Sequence, residues 1–173
     1  DVPVFDADAE VHRLQGAGGA LVDAIEAEFP GTTGIAGVDR QKLGARVLGD
    51  DRAMKRLEGI VHPAVAEARR DFLIDHADAP LVVFDIPLLF EKGGEAGLAA
   101  VWVVTAPSEV QRGRVLARHG MTKEKFDAIL ARQMPDAEKR IRATAIIDTG
   151  VPLSETRAQV AALVACITAS EGQ

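Results

Sequence analysis

Acidic side chains follow three predicted strands of this chain, close to the point where each strand ends. They are Asp6 and Asp8, Asp85, and Asp148. In open parallel sheets, ligands bind beyond the carboxyl ends of the strands. A hydroxyl nucleophile needs a nearby carboxylate to accept its proton, and Mg²⁺ prefers carboxylate and phosphate oxygens. Asp8 suits either task, but Asp6 or Asp8 could instead simply cap the helix that follows.

Cationic side chains cluster between positions 112 and 142 of an otherwise acidic chain. They include Arg112, Arg114, Arg118, Arg132, Lys139, Arg140 and Arg142. Arginine presents a planar fork of donors that suits phosphate, and in phosphoryl transfer it offsets charge on the moving group. Arg114 and Arg118, four residues apart, share a helix face, and Arg112 points elsewhere. The pattern favours anion binding, and a solvated, salt-bridged face is the alternative for any one arginine.

Two further features are candidates for ligand contacts. His62 precedes Pro63 at a predicted helix start, where a structural or substrate-contact role is favoured over catalysis. The apolar run Leu88, Leu89 and Phe90, followed by Glu91, lies just past a strand end, so it forms either core or an apolar ligand wall. The cysteine and histidine spacing matches no zinc site.

Composition limits the classes of function. The 173 residues carry a net charge of −6, which disfavours nucleic-acid binding, and only 4% are aromatic. The single cysteine cannot form an internal disulfide, so the sequence predicts a reducing, cytoplasmic location. No apolar run is long enough to span a membrane.

Apolar runs alternate with helical patterns along the chain, which predicts an α/β fold with a mostly parallel sheet. The predicted strands lie near 2–6, 81–86, 101–105 and 145–148. The helical block between the first two strands is too long for a simple crossover, so an inserted helical subdomain is expected at about 16–77. Within it, separate helices are predicted over 50–60 and from Pro63 to 74, with a glycine-rich loop at 31–37.

Several segments, in this order, resemble those of dephospho-CoA kinases, a family of P-loop kinases. They are V-P-V-F-D-A-D at 2–8, D-R-Q-K-L at 39–43, L-E-G-I-V-H-P at 57–63 and D-I-P-L-L-F-E at 85–91, with Gln111, Arg112, Gln133, Lys139 and Asp148 further along. Each segment is weak alone, but together they are quite specific and run over nearly the whole chain.

The resemblance implies a P-loop kinase-like fold, a three-layer parallel sheet flanked by helices, with a helical substrate subdomain and a mobile lid at about 108–142. It implies transfer of the ATP γ-phosphate, with Mg²⁺, to the ribose 3′-hydroxyl of dephospho-CoA. Asp8 would be the general base. The helical block with His62 would hold the CoA-precursor part.

The resemblance also assigns the remaining site residues. The acceptor site would be lined by Asp6, Asp85, Leu88, Leu89, Phe90 and Glu91. Lid arginines would approach the phosphates, namely Arg112 or Arg118, and Arg132. The loop that begins at Asp148 would lie near adenine, although the family often has Asp-Asn where this chain has Asp148-Thr149.

The family also carries a phosphate-cradling loop upstream of the strand at 2–6. No G-x-x-x-x-G-K-[ST] motif occurs in these 173 residues, so we expect the chain as given to have little kinase activity and reduced stability.

Two other functions fit the sequence. One is another small-molecule kinase of the P-loop class, such as a nucleoside or nucleoside-monophosphate kinase. The other is a non-catalytic module that binds a CoA precursor. Expected partners are small molecules only, in a monomer or a weak homo-oligomer.

Overall fold

A computed structural model describes residues 2–170, with the side chain of residue 170 excepted, and the chain divides into two compact units, Asp1–Pro87 and Leu88–Gln173. The strands are β1 (Val4–Asp6), β2 (Thr33–Gly34), β3 (Gly37–Val38), β4 (Val83–Asp85), β5 (Trp102–Thr105) and β6 (Ala145–Asp148). The helices are α1 (Ala7–Gln15), α2 (Val22–Glu28), α3 (Arg40–Val47), α4 (Asp51–Asp75), α5 (Ser108–Leu116), α6 (Lys123–Leu130), α7 (Asp136–Arg142) and α8 (Leu153–Ser170).

The first unit is built on β1 and β4, which pair in parallel with Phe5 opposite Phe84. Phe5, Phe72 of α4 and Phe84 form an aromatic cluster with ring centroids 5.5–6.1 Å apart. A larger apolar core lies between α1, α2, α3 and α4, and its buried members are Leu14, Leu21, Ile25, Phe29, Leu43, Val47 and Ala53. The helices of residues 16–77 therefore share one hydrophobic core, to which α1 also contributes through Leu14.

The two helices predicted over 50–60 and from Pro63 to 74 are one helix. α4 runs unbroken over 25 residues with Pro63 inside it, so the predicted break at His62-Pro63 is wrong. Proline removes one helical hydrogen bond and crowds the preceding turn. The helix continues because its apolar face packs on the core on both sides of the proline, through Leu57 and Ile60 before it and Ala64 and Val65 after it.

The predicted glycine-rich loop contains a small hairpin of β2 and β3. Gly37 has a φ of 94° and approaches the backbone of Gly16 so closely that a side chain there would collide with it. The Glu26 carboxylate accepts hydrogen bonds from the Gly31 amide and the Thr33 hydroxyl, which lower the pKa of Glu26. These bonds fix the loop to α2.

The second unit is built on β5 and β6, which also pair in parallel, with Thr105 opposite Asp148. Val103 and Ile147 are buried, and α8 packs against β6. The predicted lid region contains α5, α6 and α7. Within residues 2–170, no helix is both long enough and apolar enough to cross a lipid bilayer.

We expect Asp50→Asn to reduce the pH dependence of folding stability. Asp50 caps α4, and the amides of Ala53 and Arg52 lower the pKa of its carboxyl group. A lowered pKa in the folded state stabilises the fold above the unfolded pKa, and that contribution disappears as pH falls through the folded value. Urea unfolding between about pH 7 and about pH 3 should therefore show wild type and variant converging in acid.

Asp71→Asn, an exposed position on the same helix, is the control and should parallel the wild type. Wild type and Asp50→Asn curves that stay parallel down to acid pH would contradict the prediction.

We expect Pro63→Ala to raise the free energy of unfolding by about 1–3 kcal/mol, because alanine restores a helical N–H and is the better helix former. Chemical denaturation measures this gain. Glu67→Ala, on the exposed side of α4, should change stability far less. A Pro63→Ala variant less stable than wild type would show that the proline is required by its surroundings.

Candidate active site

In the first unit, two carboxylates meet at the carboxyl end of the parallel strand pair. Asp6 ends β1, Asp85 ends β4, and the two residues are direct partners in the register. Both are exposed. Asp6 Oδ1 accepts a hydrogen bond of 2.8 Å from the Ala9 amide and caps α1. The helix-cap interpretation therefore holds for Asp6, with Asp85 beside it.

Asp8 lies in the first turn of α1, two residues beyond the cap, and is exposed. Within residues 2–170 its carboxylate makes no hydrogen bond or ion pair. A carboxylate with uncommitted oxygens at the edge of a strand pair can accept a proton from a bound hydroxyl. Of the two candidate aspartates, only Asp8 is available for this chemistry without giving up a structural bond.

His62 lies in the middle of α4 on its solvent side, where it is exposed. Its neighbour Val61 is half-buried against the core. The imidazole is therefore held on a rigid helix and presented to solvent. This placement is compatible with ligand contact.

In the second unit, a pocket of about 270 Å³ opens at the carboxyl ends of β5 and β6. It is lined by Thr105, Ala106, Pro107, Ser108, Asp136, Arg140, Ile146 and Asp148. We call it the strand-end pocket. Its volume suits one part of a ligand, such as a planar base, better than a whole nucleotide.

The backbone around Asp148 is fixed by α8. The Asp148 amide donates to Oε1 of Gln159 at 2.9 Å, and the Asp148 carbonyl accepts from Nε2 of the same side chain at 3.1 Å. The Thr156 hydroxyl donates to that carbonyl as well. Asp148 Oδ1 accepts from the Gly150 amide at 2.7 Å. These bonds hold the wall of the strand-end pocket in one conformation.

The next residue, Thr149, is held just as firmly. Its amide and its hydroxyl both donate to the Thr105 carbonyl, at 2.8 and 2.9 Å. Arg114 donates to the Thr149 hydroxyl at 3.1 Å and to its carbonyl at 2.6 Å. Arg114 is thus committed to the loop and does not share the surroundings of Arg118, despite the predicted common face.

The run at 88–91 has mixed surroundings. Leu88 has a φ of 59°, which is unusual for a residue with a side chain, and it is 40% exposed. Leu89 is half-buried, and Phe90 is only 8% exposed, with the Arg142 guanidinium 4.7 Å from its ring centre. Leu88 can contact a ligand, whereas Phe90 is largely packed within the unit.

Glu91 is directed towards α7. Its Oε1 atom accepts from the Met134 amide at 2.8 Å and forms an ion pair of 2.8 Å with Lys139. Partial burial by itself raises the pKa of Glu91, but the hydrogen bonds from Lys139 and Met134 outweigh it, and the net shift is downward. Glu91 is therefore anionic near neutral pH and already bonded within the protein.

The three predicted phosphate-binding arginines differ in their surroundings. Arg112 pairs with Asp127 at 3.6 Å and stacks on Phe126. Arg118 lines a second pocket, of about 170 Å³, between α5 and α6, and is exposed. Arg132 follows α6 and is exposed. Within residues 2–170, the guanidinium groups of Arg118 and Arg132 have no protein partner, so they remain available to an anion.

Sequence reasoning missed Thr105, which lines the strand-end pocket, and Gln159, which bonds to the Asp148 backbone in its wall. A lone glutamine on an apolar C-terminal helix gives no signal, because its role comes from packing against β6. For Thr105 the sequence held a weak signal: like Asp148, it ends a predicted strand, and the ends of parallel strands meet at one edge of a sheet.

Comparison with known proteins identifies the family. A sequence profile described as dephospho-CoA kinase matches residues 1–154. A dephospho-CoA kinase of Novosphingobium aromaticivorans is 67% identical over 166 residues, covering 96% of this chain and 83% of that protein. One from Rhodopseudomonas palustris strain BisB18 is 52% identical over 166 residues, covering 95% of this chain and 82% of that protein.

Solved structures agree on the fold. A crystal structure of a Thermus thermophilus protein matches with a TM-score of 0.80 and 35% identity, over 95% of this chain and 84% of that one. A dephospho-CoA kinase of Campylobacter jejuni matches with a TM-score of 0.61 and 23% identity, over 96% of this chain and 84% of that one, and supports the fold alone.

Fold and site together define an α/β phosphotransferase of the P-loop kinase type. The chain belongs to the dephospho-CoA kinase family. The reaction of this family is the ATP-dependent phosphorylation of dephospho-CoA, the final step of coenzyme A biosynthesis. Family membership favours neither of the two alternatives drawn from the sequence, which were another small-molecule kinase of the P-loop class and a non-catalytic module that binds a CoA precursor.

We expect Gln159→Leu to destabilise the protein by about 1–3 kcal/mol, because the Asp148 amide and carbonyl lose a side-chain partner that leucine cannot replace. Thermal or urea unfolding measures the loss, and hydrogen exchange at the Asp148 amide should accelerate. Arg157→Leu, at an exposed position on the same helix, is the control. Equal stability of the two variants would show that the clamp contributes nothing.

Proposed function

We propose that Asp8 is the general base of the kinase reaction and accepts the proton of the ribose 3′-hydroxyl as the γ-phosphate is transferred. The observation that supports this role is its exposed, unengaged carboxylate beside a strand end, two residues after an aspartate that is used as a cap. Asp6 and Asp85, paired at the same edge, would hold and orient the acceptor ribose.

We propose that dephospho-CoA contacts the first unit through the helical block at about 16–77, with His62 as one contact. The exposed imidazole on a continuous helix supports this. Leu88 and Leu89, with Phe90 behind them, would line the acceptor site, whereas the Glu91 carboxylate is already bonded to Met134 and Lys139. The exposed, positive-φ backbone at Leu88 supports a ligand role for the start of this run.

We propose that ATP places its base in the strand-end pocket near Asp148. The rigid loop around Asp148 supports this, because a wall whose polar groups are already satisfied can recognise a base by shape at little entropic cost. The unpartnered guanidinium groups of Arg118 and Arg132 are the candidates for phosphate contacts in the lid at about 108–142. Arg112 would contact a phosphate only after its ion pair with Asp127 is broken.

We propose that ATP acts with Mg²⁺. Within residues 2–170 no group of three or more acidic, histidine or cysteine side chains is arranged to hold a metal. This fits Mg²⁺, which usually takes one or two carboxylates together with water and substrate phosphates. Asp85 would supply a carboxylate oxygen, which leaves Asp8 to accept the proton. When bound, the ion offsets the negative charge of the phosphates.

We further propose a cytoplasmic protein that acts as a monomer or a weak homo-oligomer on small molecules alone. The acidic composition supports the lack of nucleic-acid partners, and the single cysteine supports the cytoplasmic location.

We expect Asp8→Asn in the full-length protein to lower kcat by about 10²- to 10⁴-fold, because asparagine cannot accept the hydroxyl proton. The dissociation constants of ATP and dephospho-CoA should change little, since the amide keeps the shape of the carboxylate. Coupled ADP-release kinetics and calorimetric titration measure the two effects.

Asp23→Asn, an exposed aspartate in the first turn of α2, is the matched control and should keep wild-type kcat. Near-normal turnover of Asp8→Asn would remove Asp8 from the role of base.

A further inference from the structure

A partly buried ion pair in the second unit joins Glu91 to Lys139 of α7. Oε1 of Glu91 meets both the Met134 amide and the Lys139 ammonium group at 2.8 Å. The two side chains are only 13% and 22% exposed. A pair shielded to this extent is screened far less by solvent than an ordinary surface ion pair.

A second connection lies one helical turn further along α7. Arg142 donates to Oε1 of Glu95, and the same guanidinium lies over the Phe90 ring at 4.7 Å. The segment at 90–95 is thus attached to α7 at two successive positions, Lys139 and Arg142. We refer to these contacts as the α7 latch.

The adjacent face of α7 lines the strand-end pocket. Asp136 accepts a hydrogen bond of 2.8 Å from the buried Thr105 hydroxyl, and Asp136 and Arg140 both line the pocket. Helical spacing places Asp136 and Arg140, four residues apart, on one face, and Lys139 and Arg142, three apart, on the next. A shift of this seven-residue helix would therefore move the pocket wall.

Two buried oxygen atoms of the α7 latch reduce its contribution to folding stability. Oε2 of Glu91 and Oε2 of Glu95 are buried, and neither has a hydrogen-bond partner in the part of the chain that the structure describes. A buried polar atom left unsatisfied costs free energy, and such atoms in native proteins call for an explanation. Local departures of this kind are expected at functional sites.

We propose that Glu91 and Lys139 are positioning residues for the nucleotide: their ion pair fixes α7, and α7 in turn places Asp136 and Arg140 at the strand-end pocket. This assigns Glu91 a role different from the acceptor contact suggested by the family resemblance. The proposal rests on the proposed function in one respect, the binding of ATP at this pocket.

The test uses Glu91→Gln and Lys139→Met in the full-length protein, with steady-state kinetics for both substrates. Each variant should raise KM for ATP by about tenfold, equivalent to about 1.4 kcal/mol, because the pocket wall is no longer held in place. KM for dephospho-CoA and kcat should change much less. The exchanged pair, Glu91→Lys with Lys139→Glu, restores an ion pair and should recover part of the ATP affinity. The recovery should be incomplete, because a lysine at position 91 cannot accept the hydrogen bond from the Met134 amide.

Arg13→Met is the matched control, since it removes an ion pair of 2.6 Å with Glu10 in α1, outside both proposed ligand sites, and should leave both KM values unchanged. Latch variants that raise both KM values equally, or whose only defect is lower stability in urea unfolding, would overturn the proposal. So would latch variants with wild-type KM for ATP.

Ile146→Trp separates this proposal from the one on which it rests, because Ile146 lines the strand-end pocket and tryptophan would fill it. Weaker ATP binding by a folded Ile146→Trp variant supports ATP binding at the pocket, and the latch variants then decide the role of Glu91 and Lys139. Unchanged ATP binding by Ile146→Trp would overturn both proposals.

Discussion

The candidate chemistry of each unit depends on the register of one pair of short parallel strands. Parallel pairing aligns the carboxyl ends of neighbouring strands, so residues distant in sequence meet at one edge. In the first unit this register sets Asp6 beside Asp85, and in the second it sets Thr105 beside Asp148. A shift of one residue would turn these side chains to the opposite face. The register is therefore the constraint on which both sites rest.

Packing fixes that register because strands of three or four residues cannot do so alone. Phe5 is buried and contacts Phe72 of α4 as well as Phe84 on the neighbouring strand. In the second unit, α8 packs on β6, and Gln159 bonds to the Asp148 backbone at two points. A site carried on such a preorganised backbone needs little reordering when a ligand binds.

Charge in the lid region is largely committed to internal contacts. Arg112, Arg114, Lys139 and Arg142 each bond to a side chain or a loop of the second unit. Arg118 and Arg132 keep exposed guanidinium groups without a protein partner among residues 2–170. An acidic protein can thus keep a local site for phosphate while most of its clustered cations stabilise the helices that carry it.

The sequence by itself determined the fold class, the family and the acidic residues at the strand ends. It could do so because apolar periodicity and short motifs are local signals. Only the tertiary structure decided that α4 continues through Pro63, that Asp6 is a cap while Asp8 stays available, and that Glu91 faces α7. The continuity of α4 and the direction of Glu91 depend on contacts between residues far apart in the chain, such as Glu91 with Lys139, which no local pattern encodes. The choice between Asp6 and Asp8 depends on the residue at which α1 begins, because either aspartate could cap it in sequence.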